Sequence, residues 1–135
     1  MDCKTTFTWA DGQYSFALPL GQLEELQEKA DCGPLALLER MRNGTWREAD
    51  LRQTIRLGLI GGGLEPTAAL RMVERYVYPA RPLMEGLLPA QSILAAALWG
   101  VEDDQPGKDQ ADGMAEPGLA ETESSASPNS TAPEP

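Results

Sequence analysis

The sequence predicts a mainly α-helical fold with a short N-terminal β-hairpin (α+β), containing four to five short helices. Residues 4–18 alternate apolar and polar side chains, which is typical of paired strands. Residues 19–99 instead repeat apolar side chains every three or four positions, between proline and glycine breaks. Residues 102–135 contain almost no large apolar side chains. This composition predicts a disordered acidic tail after a folded domain at residues 1–101.

The negative charge of the chain lies mostly in the predicted tail. Residues 1–101 contain ten Lys/Arg and twelve Asp/Glu residues, whereas residues 102–135 contain one lysine and nine acidic residues. The net charge of −10 therefore divides into −2 for the predicted domain and −8 for the tail. Nucleic-acid phosphates are bound by an excess of Lys and Arg side chains, and they are repelled by a near-neutral domain with an acidic extension. We therefore expect no nucleic-acid partner. We expect the tail to maintain solubility through its net charge.

The N-terminal hairpin is predicted from two alternating stretches on either side of Asp11-Gly12. The apolar members of the two stretches are Phe7, Trp9, Tyr14, Phe16 and Leu18. An Asp-Gly pair between alternating stretches is a strong local signal for a hairpin turn. Because an isolated hairpin is marginally stable in water, the helices that follow or a partner strand must cover it.

Two short amphipathic helices are predicted after the hairpin. Pro19 and Pro34 each fit a first helical turn, where a backbone N–H has no intrahelical partner. The apolar stripe of the first helix is Leu20, Leu23, Leu26 and Ala30, and that of the second is Leu35, Leu38 and Met41, with Leu37 beside it. Asn43-Gly44 is typical of a left-handed C-cap and ends the second helix.

A third helix is predicted between a capping box and three consecutive glycines. Thr45 is the expected N-cap and Glu48 the N3 residue. The apolar residues at four-residue spacing are Leu51, Ile55 and Leu59. The structural motif that ends this helix consists of Gly58, Gly61, Gly62 and Gly63. It has neither the preceding strand nor the lysine of a phosphate-binding loop, so we interpret it as a connector that allows positive φ angles and close backbone approach.

The last helices are predicted around prolines. The fourth helix begins at Pro66, next to Glu65. Its apolar stripe consists of Leu70, Val73 and Val77. The final stretch, residues 83–99, is apolar nearly all round, and Pro89 is expected to divide it into two pieces. A helix that is apolar all round must be covered by other protein. Its apolar run at residues 93–99 is too short to span a bilayer, so no membrane partner is expected.

The residue types of common catalytic sites are lacking. The chain has no histidine, which removes the commonest general base and the commonest metal ligand. Cys3 and Cys32 fit no zinc spacing and have no evident activating base, so two reduced thiols are expected, with a structural disulfide as the alternative. Paired helical carboxylates are interpreted as solvating charge. We therefore expect no enzyme activity, no cofactor and no metal.

Three motifs follow one another in an order that resembles a known family. The first is residues 53–63, a helix that closes in three glycines, and its most specific part is residues 56–63. The others are the Leu-x-x-Leu-Glu type helix at residues 20–26 and the Ile-Leu-Ala-Ala-Ala-Leu run closed by glycine at residues 93–100. Together they resemble a phage tail-protein family of gene transfer agents and related prophages. That family is classed with tail-assembly chaperones and has also been labelled a tail tube protein.

The resemblance implies a function in tail assembly. A chaperone would bind the tape-measure protein while the tail tube polymerises around it, whereas a tube protein would stay in the particle. We expect the chaperone role, because tube proteins usually need a sizeable β-sheet and this chain predicts one hairpin. A retained tube component is the alternative, and a small regulatory or antitoxin-like adaptor is a third hypothesis. The expected location is the cytoplasm of the bacterial host, with virion association as the alternative.

The expected partners are other phage tail proteins, foremost the tape-measure protein, with self-association left open. Helix-in-groove recognition of an amphipathic helix would use an apolar groove lining. The candidate lining is Trp46, Leu51, Ile55, Leu59, Leu70, Val73, Leu94 and Leu98. The alternative is that these side chains form the core, and we expect core positions for Trp46 and Trp99.

A second candidate surface is an arginine cluster. Its members are Arg40, Arg42, Arg47, Arg52 and Arg56. Glu48 and Asp50 are interleaved with them, so we interpret the cluster as an ion-paired helix surface. A docking surface for an acidic segment of another protein is the alternative.

Overall fold

The computed structural model describes residues 2–101, which form an antiparallel hairpin, five α-helices and a 3₁₀ helix. The elements are β1 (Thr5–Trp9), β2 (Gly12–Phe16), α1 (Leu20–Ala30), α2 (Pro34–Asn43), α3 (Glu48–Gly61), α4 (Pro66–Tyr76), the 3₁₀ helix (Leu83–Gly86) and α5 (Leu87–Trp99). The predicted α+β class is confirmed. The predicted disordered tail, residues 102–135, lies outside the described residues.

The predicted hairpin forms, but its turn is shifted and β2 ends before Leu18. Thr5 pairs with Phe16 and Trp9 pairs with Gly12, so the two loop residues are Ala10 and Asp11 rather than Asp11 and Gly12. Ala10 adopts a φ of 57°, which supplies the left-handed position of the loop. The register is set by the buried face, because this pairing brings both Trp9 and Phe16 into the core.

Helix α3 lies at the centre of the fold. It packs against α1, α4, α5 and the β2 strand. Its side chains Leu51, Ile55, Leu57 and Leu59 are all buried, so residues on several sides of the helix face other elements. Phe16 from the hairpin, Leu26 from α1 and Leu38 from α2 extend the same hydrophobic core. The hairpin is therefore covered by helices, as its small size requires.

The glycines at the end of α3 allow it to touch the hairpin. A Cβ at Gly61 would overlap the carbonyl oxygen of Ala17, and one at Gly62 would overlap that of Ser15. Gly61 is the last residue of α3, and Gly63 follows with a φ of 116°. The glycine motif thus combines two features that glycine permits most readily, a close backbone approach and a positive φ.

The capping box of α3 lies two residues later than the sequence predicts. Arg47 is the N-cap, and its backbone N–H donates to the Asp50 carboxylate at 2.8 Å. Thr45 is unavailable as the cap because its N–H and its hydroxyl both donate to Oδ1 of Asn43, at 3.1 and 2.7 Å. Asp50 therefore takes the N3 role that we expected of Glu48.

The predicted break at Pro89 is wrong. Helix α5 runs unbroken from Leu87 to Trp99, and Pro89 is its third residue. In the first turn of a helix the backbone N–H groups have no intrahelical acceptor, so a proline there removes no hydrogen bond. The irregular piece is the 3₁₀ helix Leu83–Gly86 that precedes α5.

Three predicted stripe residues face solvent instead of the core. Leu20 and Leu70 are 71% and 47% exposed, and Leu35 is also exposed. In α4 the neighbouring Ala69 takes the buried position instead of Leu70. A spacing of three or four residues defines the buried face of a helix only to within one residue. The packing of α4 against α3 buries Ala69 and leaves the adjacent Leu70 exposed.

Candidate functional site

The predicted groove lining lies mostly inside the protein. Five of its members are buried, namely Leu51, Ile55, Leu59, Val73 and Leu94. Trp46 and Leu98 are half-buried against the core, and Leu70 alone is exposed. The structure thus brings most of the set together as part of one core. A buried side chain contacts a partner only if the helices separate, so partner binding by this set stays a prediction.

Helix α5 presents a second apolar face to solvent. Its buried residues are Ala90, Ile93, Leu94 and Ala96. The opposite side holds Leu88, which is 71% exposed, and Trp99, which is 55% exposed, with Ser92 and Ala95 partly exposed between them. The spacing of four, three and four residues places these side chains on one face of the helix. Helix α5 also contains no charged side chain.

A shallow groove runs between this face and α2. It is lined by Leu38, Arg42, Gln91, Ser92 and Ala95. The Gln91 side-chain amide donates to the Met41 carbonyl oxygen at 3.2 Å, which joins the two helices below the groove. The Arg42 guanidinium lies 5.7 Å from the centroid of the Trp99 ring, within cation–π range, and 3.5 Å from Glu39. We call the groove and the exposed face of α5 together the α2–α5 groove.

The predicted core position of Trp99 is wrong, because its side chain is exposed. Ile93 and Leu94 fix the orientation of α5, and one helical turn later Ala97 and Leu98 pack against the core. Trp99 therefore points away from it. Trp46 does pack partly into the core, as expected. The lack of charge throughout α5 was the sequence signal for an unusual exposed face, although it did not indicate which residues form that face.

The arginine cluster is an ion-paired surface, as predicted. Arg40 and Arg47 pair with Asp50, Arg42 with Glu39, Arg52 with Glu48, and Arg56 with Glu25. Asp50 is buried and accepts two hydrogen bonds from Arg40, at 3.3 and 3.2 Å. Arg40 and Arg47 also donate to the Ala30 carbonyl oxygen, at 3.1 and 2.9 Å. The cluster therefore joins the end of α1 to α2 and α3.

Among residues 2–101, no group of three or more Cys, Asp or Glu side chains could hold a metal ion. Cys3 and Cys32 are both free thiols. The hydrogen bond that the Tyr14 hydroxyl donates to Asp11 raises the pKa of Tyr14. None of the helices in this part of the chain is long and apolar enough to cross a membrane.

Comparison with known proteins identifies a family. A family model described as "Phage tail tube protein, GTA-gp10" matches residues 2–100. No curated protein and no solved structure is significantly similar to the chain. The match takes in the hairpin, the glycine motif and the whole of α5, so it covers every element of the described fold.

Proposed function

Because the chain belongs to the family described as "Phage tail tube protein, GTA-gp10", we propose that it is a structural tail component that stays in the assembled particle. The extent of the match, residues 2–100, carries this proposal. The family description agrees with the retained tube component, which was the alternative expectation, better than with the tape-measure chaperone. The family is structural, so the proposed function is to bind neighbouring tail proteins.

We place the contact with a neighbouring tail protein at the α2–α5 groove. Exposed apolar surface bordered by polar groups marks many protein interfaces, and burial of such surface drives association. Leu88 and Trp99 are the large apolar side chains at the two ends of the α5 face, and tryptophan is enriched among residues that dominate binding energy. Arg42 and Glu39 supply a polar rim beside Trp99. A partner that packs an apolar stripe between Leu88 and Trp99 would cover this surface.

A tape-measure chaperone is the second candidate function, and one observation favours it. The sheet in residues 2–101 has two strands, whereas the tube role was expected to need a sizeable sheet. A groove between two helices suits a single amphipathic helix from a long partner. Under this alternative the same α2–α5 groove would bind the tape-measure protein during assembly and then release it.

Mass spectrometry of purified particles and of assembly intermediates separates the two functions. A retained component is present in both samples. A chaperone is captured together with the tape-measure protein in intermediates and is lost from finished particles. Neither outcome depends on which residues form the contact, so the test distinguishes the two functions even if the binding surface is not the α2–α5 groove.

A further inference from the structure

The outer edge of strand β1 carries backbone groups that do not pair within the hairpin. In a hairpin with a two-residue loop, the residues that flank the loop form a hydrogen-bonded pair, and such pairs alternate with pairs that exchange no backbone bond. Trp9 and Gly12 flank the loop here. Thr6 and Thr8 therefore belong to the second kind of pair and direct their N–H and C=O groups away from β2. The Thr6 and Ser15 hydroxyls lie 3.0 Å apart, which agrees with the closer side chains of such a pair.

The outer edge of β2 is covered, in contrast to that of β1. The end of α3 lies so close to it that a Cβ at Gly62 would overlap the carbonyl oxygen of Ser15. The next bond continues this contact, because the Ala17 N–H donates to the Gly58 carbonyl oxygen at 3.0 Å. A further strand therefore cannot add to β2, and the open edge is that of β1.

The free part of the β1 edge is short. Asp2 already pairs with Val101, and the Asp2 carboxylate accepts the Lys4 N–H at 3.2 Å. Thr6 and Thr8 are exposed, and no other backbone group in the part of the chain that the structure describes bonds to their outward groups. Natural edge strands usually carry a lysine, a proline or a bulge that opposes strand addition, and β1 contains none of these. The two threonines thus offer donors and acceptors to a further strand.

We propose that β1 of a second copy of this chain pairs antiparallel with β1 along this edge. With Phe7 on the two-fold axis, Thr6 of each copy exchanges backbone hydrogen bonds with Thr8 of the other, so every outward group is satisfied. The two Phe7 side chains then face one another on the side of the sheet where each is half-buried and stacks on Phe16, with 4.5 Å between ring centroids. The two hairpins form one four-stranded sheet, which is more stable than an isolated hairpin.

Charge complementarity favours a second copy as the added strand. Lys4 before β1 and Asp11 after it are both exposed, and neither forms an ion pair within the described part of the chain. In the proposed pairing, Lys4 lies opposite Ala10 of the second copy and next to its Asp11, and the two-fold axis repeats this attraction. Parallel pairing in register would instead bring the two Lys4 side chains together. The strand itself is uncharged, so no like charges oppose one another along it.

The short edge makes the association weak. A few backbone hydrogen bonds and one aromatic pair form a small interface, so we expect a dissociation constant on the order of 100 μM. The contact becomes effective where copies are held close together, because a raised local concentration strengthens a weak interaction. It is separate from the α2–α5 groove, and the inference does not depend on the proposed tail function.

The test is amide hydrogen exchange, combined with sedimentation of the full-length chain. We expect exchange at Thr6 and Thr8 to slow about fourfold between about 10 μM and about 1 mM protein, as the dimer forms. Exchange at Gln13, which faces outward from β2, should not change. Thr8→Pro removes an outward N–H and should leave a folded monomer, because proline is tolerated where a strand N–H faces solvent. Gln13→Pro, directly opposite Thr8, is the matched control and should retain the dimer.

Three results would overturn the proposal. A chain that stays monomeric at about 1 mM, about ten times the expected dissociation constant, lacks this contact. A dimer that withstands Thr8→Pro uses another surface, and its loss in Trp99→Ala would identify the α2–α5 groove. Exchange at Thr6 and Thr8 that is independent of concentration excludes the β1 edge, even if both proline variants disturb the hairpin.

Discussion

Helices α3 and α5 show that composition alone does not decide which surface is buried. Helix α3 contains four charged residues, yet it is surrounded by other elements and seven of its residues are buried. Helix α5 has no charged residue, yet four of its residues are buried and Leu88 and Trp99 face solvent. The charges of α3 are tolerated because Asp50, Arg52 and Arg56 meet partners of opposite charge. The apolar face of α5 has no corresponding cover within residues 2–101, which is why we assign it to a partner.

The largest effect is expected from truncation at the centre of α3. Ile55→Ala removes a side chain that is 0% exposed, and should lower the free energy of unfolding by about 4 kcal/mol. Leu70→Ala, on the exposed side of α4, should change it by less than about 0.5 kcal/mol. Urea denaturation of both variants measures the difference. Similar losses for the two variants would show that α3 is not the centre of the core.

The next effect concerns the contact between α3 and the hairpin. Gly62→Ala should lower the free energy of unfolding by about 3 kcal/mol, because its Cβ would overlap the Ser15 carbonyl oxygen and the backbone must shift. Gly21→Ala is the control: nothing lies within 4 Å of its added Cβ, and alanine favours the helix by about 1 kcal/mol. Thermal unfolding of the two variants measures the expected loss of stability for Gly62→Ala and the expected gain for Gly21→Ala. A stable Gly62→Ala variant would contradict the close approach described above.

The α5 face should affect binding and not folding. Trp99→Ala should weaken capture of the neighbouring tail protein by about 2 kcal/mol, or roughly 30-fold, while leaving stability nearly unchanged. Leu88→Ala should also weaken capture of the neighbouring tail protein. Leu20→Ala is the matched control because Leu20 and Leu88 are both 71% exposed. Binding that is insensitive to Leu88 and Trp99, measured by calorimetry, would move the interface away from the α2–α5 groove.

The smallest effect on binding is expected from the acidic segment. Ending the chain after Val101 removes a net charge of −8 and should lower solubility, because charge repulsion opposes self-association. Capture of the tail partner should change by less than about twofold, or about 0.4 kcal/mol. Precipitation midpoints and the same binding assay measure the two quantities. Loss of capture would show that the segment belongs to the partner site.

Local signals account for the parts of the fold that the sequence predicts well. Pro34 and Pro66 begin helices as expected, because proline fixes its own φ near the helical value. Gly44 ends a helix with a positive φ of 85°, which glycine adopts readily because it has no Cβ. The shifted capping box depends on more than spacing. Thr45 is engaged by Asn43, and the buried Asp50 is held in position by its ion pair with the half-buried Arg40.

The candidate site was less predictable because it depends on how α5 is oriented. A helix that is apolar all round gives no moment that distinguishes its inner from its outer face. The sequence predicts Leu94 and Leu98 as groove lining, although both pack inward, and it predicts Trp99 in the core, although Trp99 is exposed.

The number of copies of this chain per tape-measure protein in purified particles tests the central claim most directly. Isotope-labelled peptide standards for both proteins make the ratio absolute. A retained structural tail component predicts several copies of the chain for each tape-measure protein, in the same ratio from one preparation to the next. Particles that lack the chain, while it co-purifies with the tape-measure protein from assembling cells, would contradict the account and establish the chaperone function.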